Sequence, residues 1–145
     1  MSRVTATQAC PTDAYELELR EEDRAEVSPG WRTLVFQAIQ YGQAVAYRDE
    51  TGHLIGLVGI TQPEPGVASP WALASPRLRF HRKQAYREGL ELVRYLREFH
   101  ADDFICNTIP RAATSNRRFV QALGFRIVAR EKGDDIFYLP LCAHP

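Results

Sequence analysis

The chain reads as an α/β fold built on a mixed sheet of six or seven strands with helices on both faces. Three observations predict it. The short apolar run "PWALAS" is followed by a long amphipathic stretch from His81 and then by a second β-prone run, "DDFICNTI". Strand, long helix, strand is a crossover, and a crossover demands parallel pairing. Two further pairs of β-prone runs, "QAVAYRD" with "HLIGLVGI" and "FRIVARE" with "IFYLPL", flank the short acidic-glycine turns "ETG" and "KGDD" and read as antiparallel hairpins. With 145 residues, 45% apolar and 25% charged, the chain has the length and composition of one ordinary globular domain, residues 1–145. At that length it buries about 68–70% of its unfolded surface and needs no disulfide or metal to fold.

"SRVTATQA" alternates loosely and suits a first strand. "CPTDAYELELREEDRAEV" is helix-prone, with Thr12 or Asp13 placed to cap it, because a short side-chain oxygen satisfies a free N–H of the first turn. After "SPGW", the run "WRTLVFQAIQYG" puts Leu34, Val35, Ala38 and Ile39 on one face, and Gly42 ends the helix. The first hairpin follows, and "TQPEPGVAS" reads as a proline-rich loop. "PWALAS" is wholly apolar and so central. The next helix buries Ala85, Gly89, Leu92, Val93, Leu96 and Phe99 and turns Arg87, Glu91, Arg94 and Glu98 to water. Beyond "DDFICNTI", Ser115 or Asn116 caps the helix "RRFVQAL", Gly124 closes it, and the second hairpin ends the fold.

Eighteen Lys and Arg balance eighteen Asp and Glu. This argues against a general nucleic-acid or anionic-membrane binder, which carries a net basic face. There is no signal peptide and no apolar run near the ~20 residues of a membrane span. Cys10, Cys106 and Cys142 are odd in number and lack metal-like spacing, so they read as reduced thiols in an intracellular fold with no metal site.

The chemistry concentrates where "PWALAS" meets the long helix. Arg79, His81, Arg82 and Lys83 fall within five positions there. Cations at a helix N-terminus oppose the helix dipole unless they face an anion. The alternative is a solvated basic helix end. Between Leu78 and Gly89 no two glycines stand one residue apart, so no glycine turn wraps a phosphate with its backbone.

The order of elements, the strand "WALAS" running into a helix, and "RRFVQALGFRI" resemble the GNAT acyl-CoA N-acyltransferase fold over nearly the whole chain. "LELREEDRAEV", "PWALASPRLRFHRKQAYREGLELVRYL" and "NRRFVQALGFRI" together are similar to the GNAT-like internal virion protein A family of short-tailed phages, with its acidic "LR-x-x-D-x-x-E" opening. The first resemblance implies acetyl-CoA as cofactor. Its pantetheine arm would lie on backbone groups of Trp71, Ala72, Leu73 and Ala74, and its pyrophosphate near Arg79, Arg82 and Lys83. The second implies a non-catalytic protein of the virion or its assembly, with other phage proteins or a second copy as partners, in host cytoplasm or particle.

The catalytic set stays unassigned. The tyrosine that often protonates the leaving thiolate in this fold aligns with Val120, beside Phe119, and the asparagine at that helix's start aligns with Ala113. Tyr138 is a possible substitute acid that otherwise packs. Glu22, Glu26, Glu50, Glu64, His53 and His81 are the available bases, each with a plain structural alternative as an exposed carboxylate or a structural imidazole.

Overall fold

The computed structural model describes residues 3–130 and 133–140. Its strand order is β1-β2-β3-β4-β5-β7-β6, over β1 (Thr5–Gln8), β2 (Gln43–Arg48), β3 (Leu54–Glu64), β4 (Val67–Ala74), β5 (Phe104–Ile109), β6 (Arg126–Val128) and β7 (Asp135–Tyr138). The helices are α1 (Asp13–Glu16), α2 (Glu21–Arg24), α3 (Trp31–Tyr41), α4 (Arg82–Phe99) and α5 (Thr114–Ala122), with a 3-10 turn at Pro76–Phe80. The β1–β2, β2–β3, β5–β7 and β6–β7 pairings are antiparallel and the β4–β5 pairing is parallel, so the expected mixed sheet has seven strands. Contacts divide the chain into two compact units.

The first unit comprises residues up to Thr61 together with Pro70–Ala85. Its core joins Leu17, Leu19, Val35, Ile39, Ala46, Leu54 and Leu57, with Trp31, Trp71 and Leu73 packed against it. The single early helix predicted from sequence is instead two short ones, and Thr12 makes no side-chain cap. Leu17 and Leu19 explain the break. Both are buried, two residues apart, which an extended segment places on one side and a helix places on opposite sides. Arg20 continues that extended course at φ −65°, ψ 159°. In α3, Val35 and Ile39 are buried one turn apart, whereas Leu34 is 60% exposed, because it lies about 100° around the helix from Val35.

The second unit comprises Gln62–Ser69 and the chain from Tyr86 onward. Most of the predicted proline-rich loop is strand. β3 runs on to Glu64, β4 begins at Val67, and Pro65-Gly66 makes the tight turn between them. Gly66 sits at φ 80°, which a β-carbon resists. The β4–β5 ladder pairs Val67 with Phe104 and Ala68 with Ile105, earlier on β4 than the run from Trp71 suggested. Pro70 gives the reason, since a proline offers no N–H for a further rung. Val93, Leu96, Ile105, Ile109, Leu123, Phe125 and Phe137 are buried here. Phe99, predicted inside, is 62% exposed and rests its ring on Tyr95 one turn back, centroids 4.7 Å apart. Neither Ser115 nor Asn116 caps α5. The cap position is Ala113, and a turn at Pro110 starts the helix before either polar residue. β7 lies between β5 and β6. Cys142 and Lys132 of the "KGDD" turn lie outside the described residues, and Cys10 and Cys106 are free thiols.

Candidate functional site

Every residue placed in the cofactor site from sequence falls in one stretch of the first unit: the end of β4, the 3-10 turn and the first turn of α4. The turn is built by Ser75. Its hydroxyl accepts the Arg77 N–H at 3.2 Å, and its carbonyl accepts the Leu78 N–H at 3.1 Å. Pro76 follows at the first helical position, where the missing N–H costs nothing. His81 joins the turn to α4. It is buried, donates its N–H to the Leu78 carbonyl, accepts the Ala85 N–H at 2.9 Å, and sets Nδ1 3.3 Å from Gln84 Oε1. That is the role of a structural imidazole.

Arg79, Arg82 and Lys83 are exposed, and none has a carboxylate partner among the described residues. Arg79 lays its guanidinium 4.7 Å from the centre of the Phe80 ring, which is itself 66% exposed. The neighbouring Arg77 differs. It reaches Asp49 at 3.2 Å and ties the turn to the β2–β3 hairpin. Hydrogen bonds from the Thr51 hydroxyl above all, with the backbone N–H groups of His53 and Thr51, hold the Asp49 carboxyl down at about 2. First-turn N–H groups of a helix have no partner inside it, so α4 presents donors and three uncompensated cations in one place. This set fits a phosphate group, held by long side chains rather than by glycine amides.

The strand edge fits less well. Ser75 donates its N–H to the Ile55 carbonyl on β3 at 2.7 Å. Alternation along an extended strand therefore turns the backbone groups of Ala74, Ala72 and Pro70 to the other edge. At Ala74 both groups are taken. The N–H donates to Asp23 Oδ2 at 2.7 Å, and the carbonyl accepts the Arg20 N–H at 2.8 Å. Asp23, 2% exposed, also receives Arg20 Nη2 at 3.1 Å. Arg20 and Asp23 are the Arg and Asp of "LR-x-x-D-x-x-E", a pattern visible in the sequence whose partner, Ala74, is 51 residues from Asp23. Ala72 is exposed on the same edge. Trp71 packs on the core with its indole N–H buried and without an acceptor.

The possible bases are scattered. Glu22 lies 3.6 Å from Arg20, and Glu50 accepts the Arg3 N–H at 2.6 Å. His53 Nδ1 stands 2.6 Å from the Thr51 hydroxyl, and Glu26 is half-buried. In the second unit, exposed Glu64 lies near Cys106. Burial, with that charge added, pushes the Cys106 thiol above its ordinary pKa, so it is a poor nucleophile at neutral pH. Val120 stands in α5 at the aligned tyrosine position, and Tyr138 stacks on Phe104 at 6.3 Å. Sequence reading missed Asp135. It is buried and receives Arg111 Nε and Arg117 Nη1, each at 2.8 Å, together with the Arg130 N–H. The Arg111 hydrogen bond is the main reason its carboxyl sits at about 2, and the arrangement is a structural knot between α5 and β7. Among the described residues no His, Cys, Asp and Glu group has the makings of a metal site, and no helix is long and apolar enough to cross a membrane.

No protein-family model and no curated protein matches the chain. Solved structures do. A GNAT-family acetyltransferase from Staphylococcus aureus Mu50 superposes with a TM-score of 0.72 at 12% identity, over 97% of this chain and 100% of that one. An acetyltransferase from Streptococcus agalactiae 2603 gives 0.70 at 14% identity, over 95% and 97%. A Bacillus subtilis acetyltransferase in complex with CoA gives 0.67 at 14% identity, over 98% and 100%. At these identities the likeness shows the fold, which is that of the GNAT acyltransferases. None of these neighbours points to a phage particle.

Proposed function

We propose that the chain, as one domain of this fold, binds acetyl-CoA and serves as an N-acetyltransferase with a divergent phosphate-binding turn. One observation carries the reading: Arg79, Arg82 and Lys83 stand unneutralised at the mouth of α4, directly after β4. Cations are unfavourable at a helix N-terminus by about 0.3–1 kcal/mol each, and a bound phosphate removes that penalty through charge-assisted hydrogen bonds. When bound, acetyl-CoA supplies an activated acetyl thioester. Arg79, Arg82, Lys83 and the α4 amides would hold its phosphates, with exposed Ala72 and its neighbours Trp71, Leu73 and Ala74 forming the strand beside it. The Bacillus subtilis neighbour, solved with CoA, supports the choice of cofactor.

The test is calorimetric titration with acetyl-CoA, followed by acetyl transfer to a panel of amines beside the Arg82→Ala, Lys83→Ala double mutant. Binding tighter than about millimolar, and turnover that collapses in the mutant, are expected. Absence of binding sinks the reading.

A second reading has its own observation. The Ala74 backbone is bonded within the chain, and Val120 replaces the tyrosine. Both features suit a non-catalytic protein that keeps the fold, and the "LR-x-x-D-x-x-E" resemblance would then make it a component of a phage particle or its assembly. Co-purification with assembled particles, without acetyl-CoA binding, is its signature.

A further inference from the structure

We propose that Arg20 and Asp23 form a clamp that closes the β4 edge at Ala74, so that the pantetheine arm of acyl-CoA competes with the chain's own N-terminal segment for that edge. The inference rests on the acetyl-CoA reading above and goes beyond it. The two bonds at Ala74 copy a strand pairing: one N–H given, one carbonyl accepting. A carboxylate stands where a neighbouring strand would put a carbonyl, and it makes the stronger bond of the two because it is charged. Asp23 is held for this by Arg20 and by burial. Arg20 is held by the extended course that the buried Leu17 and Leu19 impose.

The same edge lacks a donor at Pro70. It is therefore closed at Ala74 and donorless at Pro70, with Ala72 between them. A ligand carrying amide groups gains little from such an edge until Ala74 is released. A phosphate group, bound by Arg79, Arg82 and Lys83 beyond the strand's end, needs no such release. The clamp thus separates recognition of the nucleotide phosphates from seating of the arm.

The experiment compares 3′-phospho-ADP (here ADP), which carries every phosphate of CoA and lacks only the pantetheine arm, with CoA by calorimetry on the wild type, Arg20→Pro and Asp23→Ala. Arg20 already has the φ of a proline, so Arg20→Pro deletes the N–H without φ strain at that residue, and with it the guanidinium that holds Asp23. The wild type should bind CoA no more than about threefold tighter than ADP. Each variant should bind CoA at least tenfold tighter than ADP, with ADP affinity unchanged. A wild type that already prefers CoA tenfold, or variants that leave the ratio unmoved, would overturn the clamp. Amide exchange reads it without ligand: the Ala74 N–H should exchange slowly in the wild type and quickly in Asp23→Ala. Exchange at Ala74 as fast as at Ala72 in the wild type would also overturn it. Should Asp23→Ala fail to fold, Asp23→Asn keeps the shape with a weaker acceptor and should show the same shift in smaller measure. Failure of every form to bind either nucleotide counts against the acetyl-CoA reading, and the exchange result then decides the clamp separately.

Discussion

The indole of Trp71 lies so close to Gly59 that a β-carbon on the glycine would stand 2.5 Å from Cε2 and Cζ2. Glycine on β3 is what lets the tryptophan of β4 lie down on the sheet. Gly59→Ala should cost about 1–3 kcal/mol by forcing the ring aside, read by urea unfolding and a changed near-ultraviolet circular dichroism. The same β-carbon also meets Gln43 O at 2.7 Å, so Trp71→Ala should relieve part of the cost and leave the rest. Strict additivity of the two mutations would mean that the ring is not the obstacle.

Trp71 itself carries opposed terms. Its buried N–H lacks an acceptor, a fault of about 1–3 kcal/mol, while its ring fills core volume. Trp71→Phe removes the fault and some of the packing, and unfolding free energy should move by less than about 1 kcal/mol. Trp71→Ala removes the fault as well but gives up nearly all of the packing, and should cost about 3–5 kcal/mol. A large loss in the phenylalanine variant would show that the N–H is engaged.

Asp135 predicts an acid limb. Its folded pKa, about 2, lies below the ordinary value near 4. The stabilisation is therefore complete above about pH 4 and drains away as pH falls toward 2. Asp135→Asn should flatten the stability profile across that window and lower Tm at pH 7 more than Glu91→Ala does. The Glu91–Arg94 pair is exposed at both ends, and such pairs contribute about 0–1 kcal/mol. Equal effects would mean that the buried knot contributes no more than a surface pair.

Cys106 should alkylate late. Burial raises its pKa and Glu64 adds to the shift, so its iodoacetamide rate should rise with pH only above the ordinary thiol range, and Cys10, exposed, should react first at pH 8. Mass spectrometry of the labelled peptides distinguishes them. Cys106 reacting first would place a thiolate there and reopen covalent transfer through sulfur.

Much of the fold was legible because its signals are local. A long apolar stripe from Ala85 to Leu96, "DDFICNTI" behind it, and two short turns between β-prone runs each carry their own period. The failures are tertiary. Leu17 and Leu19 sit in a helix-prone sequence, yet burying both on one side forces an extended segment, and sequence gave no sign of the partner that rewards it. The prolines of "TQPEPGVAS" suggested a loop, whereas Pro65 and Gly66 need only two positions and leave the rest to strand. The basic turn was legible by charge alone. The closed edge at Ala74 was not, because Asp23 lies 51 residues away and reads as one more surface carboxylate in an acidic run.

The basic turn yields the sharpest prediction, because stability and binding should move in opposite directions. Arg82 and Lys83 are the first two residues of α4, whose first turn contains no acidic residue. Both are exposed without carboxylate partners among the described residues, so no described ion pair repays their conflict with the helix dipole. Replacing both by glutamate turns two unfavourable charges into favourable ones, each change worth about 0.3–1 kcal/mol at low ionic strength. For a chain of this size that raises Tm by about 2–4 °C per kcal/mol. The same change sets two negative charges against a phosphate, and acetyl-CoA affinity should fall at least tenfold, with the loss shrinking as salt screens it. Thermal unfolding and calorimetry on Arg82→Glu, Lys83→Glu give both readings from one preparation. A less stable variant would mean that the cations hold the fold together. A more stable variant that still binds acetyl-CoA would place the phosphates elsewhere.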